Sequence, residues 1–300
     1  MRRSLLVYNP AAGQRWRRPF PDRVRRHLLA RGFDAEVLVT RGQDHATELV
    51  RRHLDPAVEV VWVCGGDGTL GQAAAALVGS EVPLGIVPSG TVNVIARECG
   101  LPADPLAAVD AVAGGAARRT FRIWSAGGRA VMLGVGVGFE ARAIGYVPPT
   151  LKEWLGAAGV GAQGVGEWAR YEFPALRVRG EDGEGRPFDL PATQLLATSP
   201  RRFAGHHVVA PRADPADACL DLLLFQGASR ARLAAFWLGV QLPGTLHLRV
   251  PGVRAVRARR LRVDAAAGRP VEVHVNGDAV DATPLEVEPW GAVRVLAPAR

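Results

Sequence analysis

The chain has 300 residues, 48% of them hydrophobic, enough for one large or two ordinary domains with substantial cores. Its longest uncharged apolar region, Leu233 to Leu248, is interrupted by Gln241, Pro243 and Gly244, which excludes a continuous membrane span, and Asn9-Pro10 ends the first apolar run too early for a signal peptide. Three scattered cysteines (Cys64, Cys99 and Cys219) exclude a disulfide framework and fit a reducing cytoplasm, and a formal charge of +8 carried almost wholly by arginine suits weak attraction to anionic lipid headgroups better than specific nucleic-acid binding.

In chain order, Ser4–Tyr8 reads as a buried strand and Pro21–Ala30, with Val24, Leu28 and Leu29 at helical spacing, as a helix. Ala35–Thr40 is a strand, Asp44–Leu54 a helix, Val58–Cys64 a third strand and Thr69–Val78 the helix after it. Leu84–Val87 is a fourth strand, followed by helices at Val92–Glu98 and Pro105–Val112 and a basic strand at Arg118–Ile123. This alternation predicts a doubly wound, mostly parallel sheet, in which ligands bind beyond the carboxyl ends of the strands. After about residue 124, short β-rich runs separated by Gly/Pro turns predict a second, largely antiparallel β domain: Ala130–Leu133, Ala175–Arg179, Thr193–Ala197, Leu220–Phe225, Arg260–Val263, Val271–Val275 and Ala292–Leu296. Thr150–Arg170 reads as a glycine-rich helical or loop excursion and Arg230–Leu242 as an amphipathic helix.

Four segments have the composition of a phosphate site: Asn9–Gly13, Gly65-Gly66-Asp67-Gly68-Thr69, Pro88–Asn93 and Gly134–Glu140. Glycines let backbone N–H groups approach phosphate oxygens, and a following helix offers its positive end. Asp67 adds a carboxylate able to hold Mg²⁺ or accept a proton, and Thr69 and Thr91 can cap helices or bond phosphate. Singly, each segment is also ordinary turn punctuation, and Gly134, Gly136 and Gly138 also fit close strand packing. The common P-loop pattern is absent. Three loops on one sheet edge favour the ligand reading.

Taken in order, Asn9-Pro-x-x-Gly13, Gly65–Thr69, Pro88-x-Gly-Thr-x-Asn93-x-x-Ala96-Arg97, Gly136–Ala141, Phe203–Gly205 leading to Asp217–Asp221, and Val275–Asp278 with Thr283-Pro284 resemble the diacylglycerol kinase/sphingosine kinase family, in its soluble bacterial branch. The resemblance implies an N-terminal α/β nucleotide domain (1–124, with strands at about 285–300 returning to it), a C-terminal antiparallel β-sandwich lipid domain (125–284) and an active site in the cleft between them. It implies transfer of the ATP γ-phosphate to a lipid hydroxyl with Mg²⁺, with Asp67 and Asp278 as the catalytic carboxylates. Asn9, Pro10, Gly13, Gly65, Gly66, Gly68, Thr69, Gly90, Thr91, Asn93, Glu140 and Asn276 would serve the nucleotide. Asp67 would also hold metal, while Asp217 and the Leu220 carbonyl would hold a structural Mg²⁺. A lipid substrate at the membrane surface, transient peripheral contact at the inner face and a homodimer are further expectations from the same likeness.

The chain departs from the family pattern at several places. Asn276-Gly277-Asp278 stands for Asp-Gly-Glu, so the candidate base is an amide that cannot take a proton at neutral pH. Glu140 stands for Asp, Gly71 for Asn and Ala218 for Gly. Arg15 and Arg97 are the candidate phosphate cations, set against ordinary surface arginines; His206-His207 lacks metal-ligand spacing. Gly145–Trp168 can form an apolar lip, and Phe236–Leu238 is either bilayer-facing or core. NAD kinase, which shares the Gly-Gly-Asp-Gly loop, and a binding regulator with decayed chemistry are the competing readings.

Overall fold

Apolar side chains at every position of Leu5–Val7 and Val60–Cys64 suit strands covered on both faces, and all of them are buried. A computed structural model describes residues 1–12, 20–42, 44–145, 166–203, 207–266 and 268–299. The chain divides into two units, Met1–Ile123 with Trp290–Arg300, and Trp124–Pro289.

In the first unit β1 (Arg2–Tyr8) lies parallel between β2 (Phe33–Val39) and β3 (Val60–Gly65), and β4 (Leu84–Pro88) lies parallel beside β3. The helices between them are α1 (Phe20–Ala30), α2 (His45–His53) and α3 (Asp67–Leu77), followed by α4 (Val94–Glu98) and α5 (Pro105–Ala113). In α1, Val24 and Leu28 are buried while Arg23, Arg25 and Arg26 face solvent, as helical spacing requires. Gly85 is glycine for a packing reason: a side chain there would strike the Trp62 ring, which is fully buried and meets Phe33 edge-on at 5.0 Å.

β5 (Ala116–Ala126) carries the chain into the second unit and turns back through Gly127-Gly128, both at positive φ, into β6 (Arg129–Val131). Then follow β7 (Gly134–Val137), α6 (Phe139–Gly145), β8 (Leu176–Asp182), β9 (Pro187–Ala192), β10 (Gln194–Thr198) and the short pair β11 (Arg202–Phe203) and β12 (His207–Val208). Beyond these come β13 (Leu220–Phe225), α7 (Arg230–Gln241), β14 (Val253–Ala265), β15 (Glu272–Val275), β16 (Asp278–Ala282) and β17 (Leu285–Pro298). One layer runs β16-β15-β7-β10-β13-β14, antiparallel throughout. β14 also serves the opposite layer, pairing with β8 and with Leu285–Val287 of β17. Its alternation explains this: Ala258, Leu261 and Val263 point into the core while Arg257, Arg259, Arg260 and Arg262 face solvent. The core between the layers is aliphatic, with Val135, Leu195, Leu222 and Val273 at its centre. β17 ends in the first unit, where Val295 pairs in parallel with Leu84 of β4.

The architecture is therefore the doubly wound parallel sheet that the alternation predicted, with the antiparallel sandwich that the resemblance implied. One segment differs in kind. Gly134–Val137, expected as a phosphate-type loop, is a fully buried strand. A side chain at Gly134 would strike the Ala197 carbonyl of β10, and one at Gly138 the Tyr171 hydroxyl, so these glycines permit close packing. The expected lip, Gly145–Trp168, falls mostly outside the described residues, as do Gly13, Arg15 and His206.

Candidate functional site

The carboxyl ends of β1, β3 and β4 bring together most of the residues expected to serve a nucleotide. Asn9 Nδ2 donates to Thr69 Oγ1 at 2.9 Å, while Asn9 Oδ1 accepts from the Ala11 N–H at 2.9 Å, so one amide ties the first loop to the first turn of α3. Thr69 is buried beneath it, and a side chain at Gly65 would meet the Thr69 Cβ at 2.7 Å. The second and third loops touch backbone to backbone: a Cβ on Gly90 would lie 2.5 Å from the Gly66 Cα. Asn93, at φ 53°, staples the third loop to itself, accepting from Gly90 N–H at 2.9 Å and donating to Gly90 O at 2.8 Å. Thr91 and Pro10 are exposed at the rim, and Arg97 is exposed with its Nε donating to Val92 O at 3.2 Å.

Asp67 opens α3, yet its carboxylate reaches across to α4. Oδ2 accepts from Val94 N–H and Oδ1 from Ile95 N–H, both at 2.9 Å. It thereby satisfies two amides that a helix start leaves without partners. The amino end of α3 is treated differently. Its N-cap is Gly66, which supplies no capping side chain. An uncapped helix start at the carboxyl edge of a parallel sheet is a ready anion site, and Gly66 and Gly90 bring two loop backbones together beside it. Beneath these loops Cys64 and Cys99 are buried, and burial pushes both thiols up to about 12, so neither supplies a thiolate.

The second unit holds a separate buried cluster. Glu140, in the first turn of α6, accepts from His274 Nε2 at 2.7 Å, and both side chains are almost wholly buried. His274 Nδ1 accepts from Gly277 N–H at 3.3 Å, which places the ring hydrogen on Nε2. A Cβ on Gly136 would lie 2.6 Å from Glu140 Oε2 and closer still to the imidazole, so this glycine makes room for the pair. Asn276, at φ 53° and 8% exposed, clamps the backbone before β7. Its Oδ1 accepts from Met132 N–H at 3.0 Å and Leu133 N–H at 2.9 Å, and its Nδ2 donates to Ala130 O at 2.6 Å. Asp278 is exposed at the start of β16. Elsewhere in this unit Asp217 is ion-paired with Arg257 and Leu220 is buried in β13. Burial raises the nearby Asp221 carboxyl above its ordinary range, against the pull of Arg257.

Thus Asn9, Gly65, Gly66, Asp67, Thr69, Gly90 and Asn93 converge in the first unit. In the second, Glu140 joins His274, and Asn276 bonds backbone only. Sequence reasoning missed His274 and Arg257. A lone histidine in an apolar run carries no signal, and Arg257 acquires meaning only through the β13–β14 register that sets it opposite Asp221.

Residues 3–123 match the model of the diacylglycerol kinase catalytic domain, and residues 134–297 that of the YegS C-terminal NAD kinase beta sandwich-like domain. Among curated relatives, a Mycobacterium tuberculosis (H37Rv) diacylglycerol kinase is 28% identical over 296 residues, covering 90% of this chain and 87% of its own. A Staphylococcus saprophyticus diacylglycerol kinase is 26% identical over 283 residues, covering 92% and 89%. The crystal structure of a diacylglycerol kinase from Bacillus anthracis Sterne superposes with a TM-score of 0.72 at 20% identity, covering 99% of this chain and 97% of that one, a likeness of fold. With both domains matched in order, the chain belongs to the diacylglycerol kinase-like lipid kinase family, phosphotransferases that use an alcohol group as acceptor.

Proposed function

We propose that the protein transfers the γ-phosphate of ATP, as its Mg²⁺ complex, to the hydroxyl of a diacylglycerol-like lipid alcohol. The observation that carries this reading is the uncapped start of α3 beside a glycine-lined approach, with Asp67 one residue inside it. Phosphate oxygens suit the N–H groups there, but a neighbouring carboxylate would repel them unless a cation lay between. The residues present therefore fit Mg-nucleotide, the metal serving to offset charge on the transferring phosphoryl group. Asp67 already accepts two N–H bonds, which favour its charged form, so its carboxylate suits holding a cation better than taking up a proton. The acceptor proton is assigned instead to Asp278, the exposed carboxylate of the last motif. Asn9, Thr69 and Asn93 fix the loops, and Gly65, Gly66, Gly68, Gly90 and Thr91 offer backbone or hydroxyl contacts to the nucleotide.

A lipid acceptor calls for contact with a bilayer surface. None of the described helices is long and apolar enough to cross a membrane. Phe236 is buried, whereas Leu238, Leu242 and Leu246 are exposed at 65%, 54% and 48%, an apolar edge on and after α7. Such an edge supports transient docking of a basic protein on anionic lipid.

The test is a kinase assay with Mg-ATP over a panel of diacylglycerol, a sphingoid base, phosphatidylglycerol, an isoprenoid alcohol and NAD. Phosphorylation of a lipid, lost in Asp67→Asn and Asp278→Asn, is the expected result. Phosphorylation of NAD alone would assign the fold to the other kinase class.

A further inference from the structure

Asp217 in the turn before β13 and Asp221 in the strand itself belong to the segment whose likeness to the family implies a structural Mg²⁺. In this chain a side chain already occupies that role. The antiparallel register places Arg257 of β14 directly across from Asp221. From there its Nη2 donates to Asp217, and its Nε lies 3.6 Å from Asp221 Oδ2. That oxygen is buried and accepts no hydrogen bond among the described residues, so the guanidinium supplies charge compensation at close range. The turn is also shaped by its own backbone: Asp214 Oδ1 accepts from Ala216 N–H at 2.9 Å, and Asp214 O accepts from Asp217 N–H at 2.9 Å.

The donor set does not fit a divalent ion while Arg257 remains in place. Mg²⁺ takes oxygen ligands at about 2.0–2.1 Å in near-octahedral geometry. Asp217 Oδ2 is already taken by the guanidinium, and a second cation against the same carboxylates would be repelled by the first. The chain departs from the family loop at Ala218 as well. We propose that Arg257 is the structural cation of this loop, standing where relatives are expected to use a metal, so that the second unit is built without a divalent ion. Magnesium would then enter this protein only with the nucleotide.

The test uses the full chain without nucleotide and does not depend on its activity. Wild-type protein is melted by scanning calorimetry in EDTA, in millimolar MgCl₂ and in millimolar CaCl₂, and titrated with MgCl₂ by isothermal calorimetry. The expected result is one melting temperature in all three buffers and no saturable Mg²⁺ binding. Arg257→Met, which keeps much of the side-chain volume without its charge, should melt about 2–4 °C lower in EDTA. Arg257→Lys should fall in between, because a point charge replaces a fork. A melting temperature that drops when EDTA strips the wild type, or one tightly bound Mg²⁺ per nucleotide-free chain, would overturn the proposal. So would an Arg257→Met protein as stable as wild type in EDTA. Should Arg257→Met fail to fold, the wild-type comparison and Arg257→Lys decide the question.

Discussion

Replacing Asn276 with aspartate separates two accounts of the amide: a catalytic carboxylate lost by substitution, or a clamp that needs both ends of its side chain. The structure assigns every polar atom of that side chain to backbone, with Oδ1 accepting from two N–H groups and Nδ2 donating to Ala130 O at 2.6 Å. Aspartate keeps the two accepted bonds but sets an oxygen against the Ala130 carbonyl in a site only 8% exposed. The positive φ of 53° adds nothing to the difference, since both residues tolerate the left-handed region. The accepted bonds strengthen onto a charged oxygen, desolvating that charge works against them, and the orphaned carbonyl remains, for a net loss of about 1–3 kcal/mol. At roughly 2–4 °C per kcal/mol for a domain of this size, a loss near 2 kcal/mol lowers the melting temperature by about 4–8 °C. Calorimetry or urea unfolding at neutral pH measures the loss, with lipid kinase turnover followed in parallel. An Asn276→Asp protein as stable as wild type and several-fold faster would refute the clamp and restore the missing base.

Asp67→Asn presents an NH₂ to one of the Val94 and Ile95 N–H groups, so it should cost about 1 kcal/mol of stability and at least roughly 100-fold in turnover. Circular dichroism melts beside kinetics distinguish this from mere unfolding. Gly90→Ala drives a methyl group against the Gly66 backbone and should weaken ATP binding more than it lowers the melting temperature, read by nucleotide titration. Gly136→Ala forces the Glu140–His274 pair apart at a cost of about 1–3 kcal/mol, measured by denaturant unfolding. The buried thiols Cys64 and Cys99 stay protonated in the folded chain up to about pH 12 but ionise near pH 9 when unfolded. The unfolded state therefore holds fewer protons in that window, and these two groups make stability fall as pH rises from 9 towards 12. Native protein at pH 8 should leave both unmodified by a thiol reagent, and rapid labelling of either would contradict their burial.

The first sheet was legible because strands covered on both faces read as unbroken apolar runs, as at Val60–Cys64. The sandwich was harder. Pro187–Ala192 alternates as a strand should, but its prolines at the first and fifth positions argue against one, so β9 went unread. The arginines of β14 hid its first half: the expected strand at Arg260–Val263 is the end of a thirteen-residue strand whose earlier apolar positions are only alanine and valine. At the site, the glycine-rich loops of the first unit do come together, with Gly90 against the Gly66 backbone and Gly65 against Thr69. At Gly134–Val137 the same composition fitted both a phosphate loop and close strand packing, and the structure shows the packing. Spacing also could not reveal that Asp67 reaches a second helix, since Val94 and Ile95 lie 27 and 28 residues further on.

The return of β17 to the first sheet fixes the order in which this protein can be completed during synthesis. Residues 1–123 leave the ribosome before the whole second unit, yet the strand that covers β4 is made after it. Until Val295 arrives beside Leu84, the nascent first unit presents an open strand edge, a surface prone to pair with other chains. Removing Trp290–Arg300 should therefore injure the unit made first, and nucleotide titration of that truncation should show weakened binding.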